Sequence, residues 1–278
     1  MTEYRFGQLT TLLPHYLRIR PREDHTVRVE SFRLDIAPEP SIRWQRDALD
    51  NSVALISFSS GANQLRIASE VIIEHYDDSP LDFVVAQEAV THPFDYAPTD
   101  SSLLGAFLLP SWPDDHAAVM QWLTGLGLSG APIETFVLLD GLNRAIAGRF
   151  RYEMREAPGV QSPAETLVRG AGSCRDFAAL FVDICRHLKL ASRFVSGYLR
   201  TPIVPTAGGA THAWADVYLP GPGWKGFDPT CGQLTGTDHI AVAVAQHPAD
   251  VPPVSGSFIG STGQRPSMSV SVRVQDWL

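Results

Sequence analysis

The chain has 278 residues, 44% of them hydrophobic and 19% charged, with a formal net charge of -8 and a pI near 5.5. That length suits one large folded domain or two of unequal size, and the apolar content excludes a disordered chain. The acidic balance disfavours a surface built to neutralise the phosphates of nucleic acid or of an anionic membrane.

No apolar run approaches the roughly 18 residues that a membrane span needs. The opening MTEYRFGQLT lacks the apolar segment of a secretory signal, so a cytoplasmic location is expected. The three cysteines, Cys174, Cys185 and Cys231, are too few for a disulfide framework and are not spaced as a Cys-x-x-Cys knuckle. Reduced thiols are expected, one of them reactive.

From Tyr16 to about Val85 the chain reads as short β-type runs, YLRIRP, TVRVESFRLDI, VALISFS and LRIASEVIIEHY, separated by turn clusters. An antiparallel β domain of sandwich type over residues 1–100 is the natural reading. Arg18, Arg20, Arg22, Arg28 and Arg33, interleaved with Glu23, Asp24, Glu30 and Asp35, read as one solvated strand face.

HPFDYAPTDSS, from His92 to Ser102, interrupts the pattern and is a candidate linker. Helical periodicity follows: Pro113-Asp114-Asp115 opens a helix through Leu123, and a second helix runs from about Ile133 to Phe150. Along SCRDFAALFVDICRHL, residues Phe177, Leu180, Phe181, Ile184, Cys185 and Leu188 form one apolar stripe. Ser173 with Asp176 resembles a capping box, which starts that helix at the Ser-Cys step.

Strand-like SRFVSGYL, HAWADVYL and WKGFD come next, the last two joined by PGPG, and MSVSVRV alternates in the tail. Residues 101–278 therefore read as a second, α+β unit with helices first and an antiparallel sheet after.

Three residues carry candidate chemistry. Cys174 falls in the first turn of its helix behind Gly170-Ala171-Gly172, where unpaired N–H groups favour a thiolate and can also donate to an oxyanion. Cys185, on the apolar stripe, should be inert. In HAWADVYL, alternation sets His212, Trp214, Asp216 and Tyr218 on one sheet face.

A five-residue hairpin loop, Tyr218 to Pro222, closing on Val217 and Gly223, would put His212 directly opposite Asp228, so that the carboxylate orients the imidazole. A four-residue loop would turn Asp228 to the other face. The spacing permits the relay without compelling it: His212 also suits an ordinary strand position, and Asp228 a turn before Pro229. Trp214 and Trp224 read as packing residues, His187 as a partner of its helix dipole, and Cys231 is given no role.

GAGSCRDFAALFVDICRHLKLASRFVSGYL, THAWADVYLPGPGW and FDPTCG resemble, in order and spacing, the core of the transglutaminase-like superfamily. The resemblance is strong over about Leu138 to Gly232 and looser over Tyr16 to Val85, which looks like the β-rich N-terminal domain of bacterial members. It implies a papain-like α+β catalytic unit with Cys174 as nucleophile, His212 as base and Asp228 as orienting acid.

It further implies an acyl-thioester mechanism on amide bonds, with peptide or protein as substrate and no cofactor or metal. Tyr152 is a guess for the second oxyanion donor. Hydrolysis by a cysteine protease or amidase is favoured, since no D-x-D-x-D-G calcium run appears. Crosslinking onto an amine acceptor, and a non-catalytic binding module of the same fold, are the alternatives. Where bacterial members commonly show Gly-Arg-Asp, this chain has Ala245-Gln246-His247.

Overall fold

The computed structural model describes residues 1–76, 79–130, 132–155, 159–200, 211–261 and 265–276. The first 75 residues form five antiparallel strands: β1 (Thr2–Leu17), β2 (Val27–Ala37), β3 (Ser41–Arg46), β4 (Ser52–Ser57) and β5 (Ala62–His75). Their order is β2-β5-β1-β4-β3. β1 serves two halves, pairing at its start with β5 (Thr2↔Ile67) and at its end with β4 (Leu17↔Ala54). The register shifts between these stretches, and the curled sheet closes over Phe6, Leu12, Leu17, Ile56, Leu65 and Ile67.

Two strands differ from the sequence reading. β1 begins at Thr2, well before Tyr16, and β3 was not anticipated because all six of its residues are exposed and carry no alternation. The arginines also divide. Arg28 and Arg33 are exposed on β2, but Arg22 leaves the strand face and donates to Leu49 O (3.0 Å) and Asn51 Oδ1 (2.8 Å).

The helical part interleaves short strands with helices: β6 (Thr91–His92), α1 (Pro98–Leu104), α2 (His116–Leu126), β7 (Ile133–Glu134), α3 (Thr135–Arg149), β8 (Arg151–Tyr152), α4 (Pro163–Arg169), β9 (Ala171–Gly172) and α5 (Cys174–His187). The expected linker holds α1 and is tied to the core, since Tyr96 donates to Tyr218 O and accepts from Ala191 N–H, both at 2.9 Å. Pro113–Asp115 is a 3-10 turn ahead of α2. Asp115 serves a more distant helix instead, accepting Ala164 N–H at 2.9 Å in the first turn of α4.

β10 (Ser192–Leu199), β11 (Thr211–Leu219), β12 (Gly223–Asp228), β13 (Gln233–Leu234) and β14 (His239–Ala245) form a sheet of order β13-β12-β11-β10-β14. The sheet packs on α5, whose Leu180, Phe181 and Ile184 lie in one core with Leu138, Leu142, Val217 and Phe227. Almost every residue of α5 is buried, so it is a central helix enclosed on all sides, where the sequence showed a single stripe. Among the described residues no helix is long and apolar enough to cross a membrane.

The tail strands β15 (Val254–Ile259) and β16 (Ser267–Val270) leave the α+β unit and pair antiparallel with β1, as in Leu17↔Val254 and Thr2↔Val270. Strand pairing thus crosses the expected division at residue 100. The two parts are also joined through Asn51, which is buried and mimics a strand partner for β14: it donates to Val244 O and accepts Val244 N–H, each at 2.8 Å. Asn51→Ala strands both backbone groups in the interior. We expect its urea midpoint to fall by an amount equivalent to roughly 2 to 4 kcal/mol, with an unchanged m value.

Candidate active site

The site begins at the N-terminus of α5. Ser173 is the N-cap and Cys174 the first helical residue, as the capping box predicts. The buried Asp176 carboxylate fixes this turn. Its Oδ2 accepts Ser173 N–H and Ser173 Oγ–H, both at 2.8 Å, its Oδ1 accepts Gln161 N–H at 2.8 Å, and Arg155 pairs with it at 3.0 Å. Gly172 is required beside it, because a Cβ there would stand 2.8 Å from Asp176 Cβ.

Cys174 is buried with Ala178, Phe194, Ala213 and Ala243. The small residue after His212, Ala213, therefore lets the helix approach the strand closely.

Across from the thiol, His212 near the start of β11 donates through Nε2 to Asp228 Oδ2 at 2.7 Å. Since Nε2 is spent on Asp228, Nδ1 is the ring atom left for Cys174. Burial would lower the His212 pKa, but the bonds to Asp228 and Cys174, and then their charges, raise it to about 10. Asp228 is fully buried, which would raise its pKa. The bonds from His212 and His239 overcome that and hold it well below the usual carboxylate range.

The hairpin register differs in detail from the five-residue estimate. The loop is Pro220 to Pro222, closing on Leu219↔Gly223, and pairing runs to Ala215↔Phe227. The next step in that register sets Asp228 against Trp214, so His212 meets it diagonally. Both loop lengths are odd, so Asp228 stays on the face of His212.

Trp214 is 2% exposed and packs with Val195 and Val244, as a core residue does. Its ring lies over Gly197, where a Cβ would come within 2.5 Å of it. Trp224 takes the Arg193 guanidinium on its face at 4.2 Å. Cys185 is completely buried and its thiol is pushed up. Cys231 lies on the turn after the acid, its sulfur part-buried 3.8 Å from Asp228 O, and burial followed by the Asp228 charge raises it to about 12. All three cysteines are free.

His187 ends α5, 3.3 Å from Asp183 Oδ2 and 3.1 Å from His116 Nδ1. In the Ala245-Gln246-His247 stretch, Gln246 O accepts Arg186 Nη2 at 2.8 Å, while the His247 ring lies tilted against Trp112 at 5.2 Å.

Tyr152 lies on β8, which pairs with β9 immediately upstream of the nucleophile (Tyr152↔Gly172). Burial, followed by the charge on Cys174, raises its pKa, so the phenol stays protonated and able to donate.

His239 was not singled out from the sequence. It opens β14, eleven residues beyond Asp228, and no spacing rule relates the two; its Nε2 lies 3.1 Å from Asp228 Oδ2. Nε2 of His212, Nε2 of His239 and the Asp228 oxygen fall within 4.8 Å of one another, a spacing that a metal ion could bridge. The protons argue for hydrogen bonds instead: Gly236 N–H donates to His239 Nδ1 at 3.3 Å, which leaves the ring hydrogen on Nε2 pointing at the carboxylate.

A thiol at a helix start, an imidazole and a buried carboxylate thus stand in series, the arrangement of a cysteine-centred acyl-transfer site. The family model described as the bacterial transglutaminase-like N-terminal region matches residues 1–74, and that of the transglutaminase-like superfamily matches residues 139–229. An uncharacterized protein of Mycobacterium tuberculosis (strain ATCC 25618 / H37Rv) is 31% identical, over 98% of this chain and 90% of its own length. One of Mycobacterium bovis matches equally. The crystal structure of a "Putative Cysteine Protease" from Cytophaga hutchinsonii covers 100% of this chain and 92% of its own, with a TM-score of 0.70 at 17% identity. The chain belongs to the transglutaminase-like superfamily.

The raised His212 pKa has a direct test by NMR. At pH 8 the His212 ring should be charged, with its titration midpoint far above 6.5. In Asp228→Ala the raising partner is gone while burial remains, so the midpoint should fall by at least about two units. Because the folded pKa is raised, this pairing stabilises the native state fully below pH 6.5 and ceases to do so as pH climbs through about 10.

Proposed function

We propose that the protein is a cysteine hydrolase, a protease or amidase, that cleaves amide bonds through an acyl-thioester on Cys174. The observation that carries this reading is the continuous series Cys174, His212 and Asp228, in which the carboxylate is wholly buried and 2.7 Å from the imidazole. Ionising a carboxylate in the interior is costly unless charge and donors compensate it, and a cationic His212 supplies that compensation.

In the first half-reaction, the Cys174 sulfur attacks the carbonyl carbon and the C=O electrons move to oxygen. Cys174 N–H, at a helix position with no intrahelical acceptor, donates to that oxyanion, and Tyr152 Oη supplies the second hydrogen bond. As the tetrahedral intermediate collapses, the C–N bond breaks and His212 Nδ1 gives its proton to the departing amine. In the second, water loses a proton to Nδ1 and attacks the thioester. The C–S bond then breaks, the carboxylic acid departs, and the sulfur is left as thiolate beside the His212 imidazolium, the pair from which the cycle began.

The name carried by the Cytophaga hutchinsonii structure agrees with this choice, which otherwise rests on the site. We place the protein in the cytoplasm, where its three free thiols would persist.

Iodoacetamide labelling with peptide mapping tests the nucleophile. At pH 7 Cys174 should be alkylated at least about tenfold faster than Cys185 or Cys231, and His212→Ala should erase that advantage. Equal labelling of Cys174 and Cys231 would favour a non-catalytic module.

Across a library of glutamine-containing peptides, Cys174→Ser should reduce turnover by three orders of magnitude or more. Tyr152→Phe should lower kcat by roughly tenfold to a hundredfold with little change in KM. Release of ammonia or peptide without incorporation of a fluorescent amine identifies a hydrolase, and stable amine incorporation identifies a crosslinking enzyme.

A further inference from the structure

Asp228 Oδ2 accepts two imidazole N–H groups, from His212 at 2.7 Å and from His239 at 3.1 Å, while its Oδ1 accepts Thr230 N–H at 2.9 Å. We propose that His239 is a positioning residue of the active site: its Nε2–H pins the Asp228 carboxylate so that His212 is held with Nδ1 toward Cys174. The inference rests on the cysteine-hydrolase reading above.

Several features make His239 a built component. Its side chain is 7% exposed, and its ring stands edge-on to Trp214 at 5.3 Å, with the His212 ring 6.2 Å from both. Gly236 N–H holds its tautomer, so the hydrogen available to Asp228 does not depend on ring flipping. Its backbone is anchored separately, through pairing with Leu199 on β10. The residue thus approaches Asp228 from a strand other than those carrying His212 and Asp228 themselves.

An aspartate held by one imidazole and one backbone N–H can still turn about its terminal torsion, whereas a second donor on the same oxygen removes that freedom. The role resembles that of an outer residue orienting a ligand more than that of an acid or base.

The test measures the His212 titration midpoint by NMR and the Cys174 alkylation rate at pH 6 in the full-length protein, neither of which needs a known substrate. His239→Leu removes the donor and should lower the His212 midpoint by about one unit or more and slow alkylation about tenfold. His239→Gln, which can place an N–H at similar reach, should restore both to within about twofold or its equivalent in pH. Should His239→Leu fail to fold, His239→Asn, one methylene too short to reach, serves as the loss variant.

A folded loss variant whose His212 midpoint is unchanged or raised overturns the proposal, as does a Gln variant no better than the Leu variant. If wild-type His212 titrates near 6.5 and Cys174 shows no labelling advantage, it is the hydrolase reading that has failed.

Discussion

A carboxylate taken out of water must be met by donors or cations, and three such groups organise the interior around α5 and the sheet beside it. Asp176, Asp183 and Asp228 are each fully buried. Asp176 gathers Ser173, Gln161 and Arg155 around the start of α5 and so sets where Cys174 stands. Asp183, further along the same helix, accepts Ser111 N–H at 2.6 Å beside the buried Arg186, which itself reaches Ser192 O and Gln246 O. Asp228 does the same for the histidines. Removing any one of these donors leaves a buried charge with fewer partners, which is the costlier error in a protein interior.

The helix that carries Cys174 was legible because its signals are local. Ser173 and Asp176 mark its start, and Phe177, Leu180, Phe181, Ile184 and Cys185 recur at helical spacing. Strands β10, β11 and β12 were legible from alternation and the Pro-Gly turn. The pairing of His212 with Asp228 survived an error of two residues in the loop because face parity depends only on whether the loop is odd or even.

What sequence left hidden is non-local. His239 meets Asp228 only because the chain after β13 returns across the sheet end to begin β14, and an Asp-His pair before an apolar run has no feature that announces this. β3 escaped because an exposed edge strand shows no apolar period, and α1 because a Pro- and Asp-containing stretch signals a loop as readily as a helix start. Arg22 reads as part of a solvated strand face, yet its guanidinium donates to the buried Asn51 where the two parts of the molecule meet.

The shared role of β1 bears on biogenesis. During synthesis β4 and β5 follow β1 within some sixty residues, yet two of its pairing partners, β15 and β16, are made only after the helices and the second sheet. A nascent chain must therefore carry a partly unsatisfied strand edge through translation of the intervening α+β portion, at the stage when neighbouring ribosomes offer other unpaired edges. The register shifts along β1 twist that edge away from a flat template, a safeguard written into the strand itself.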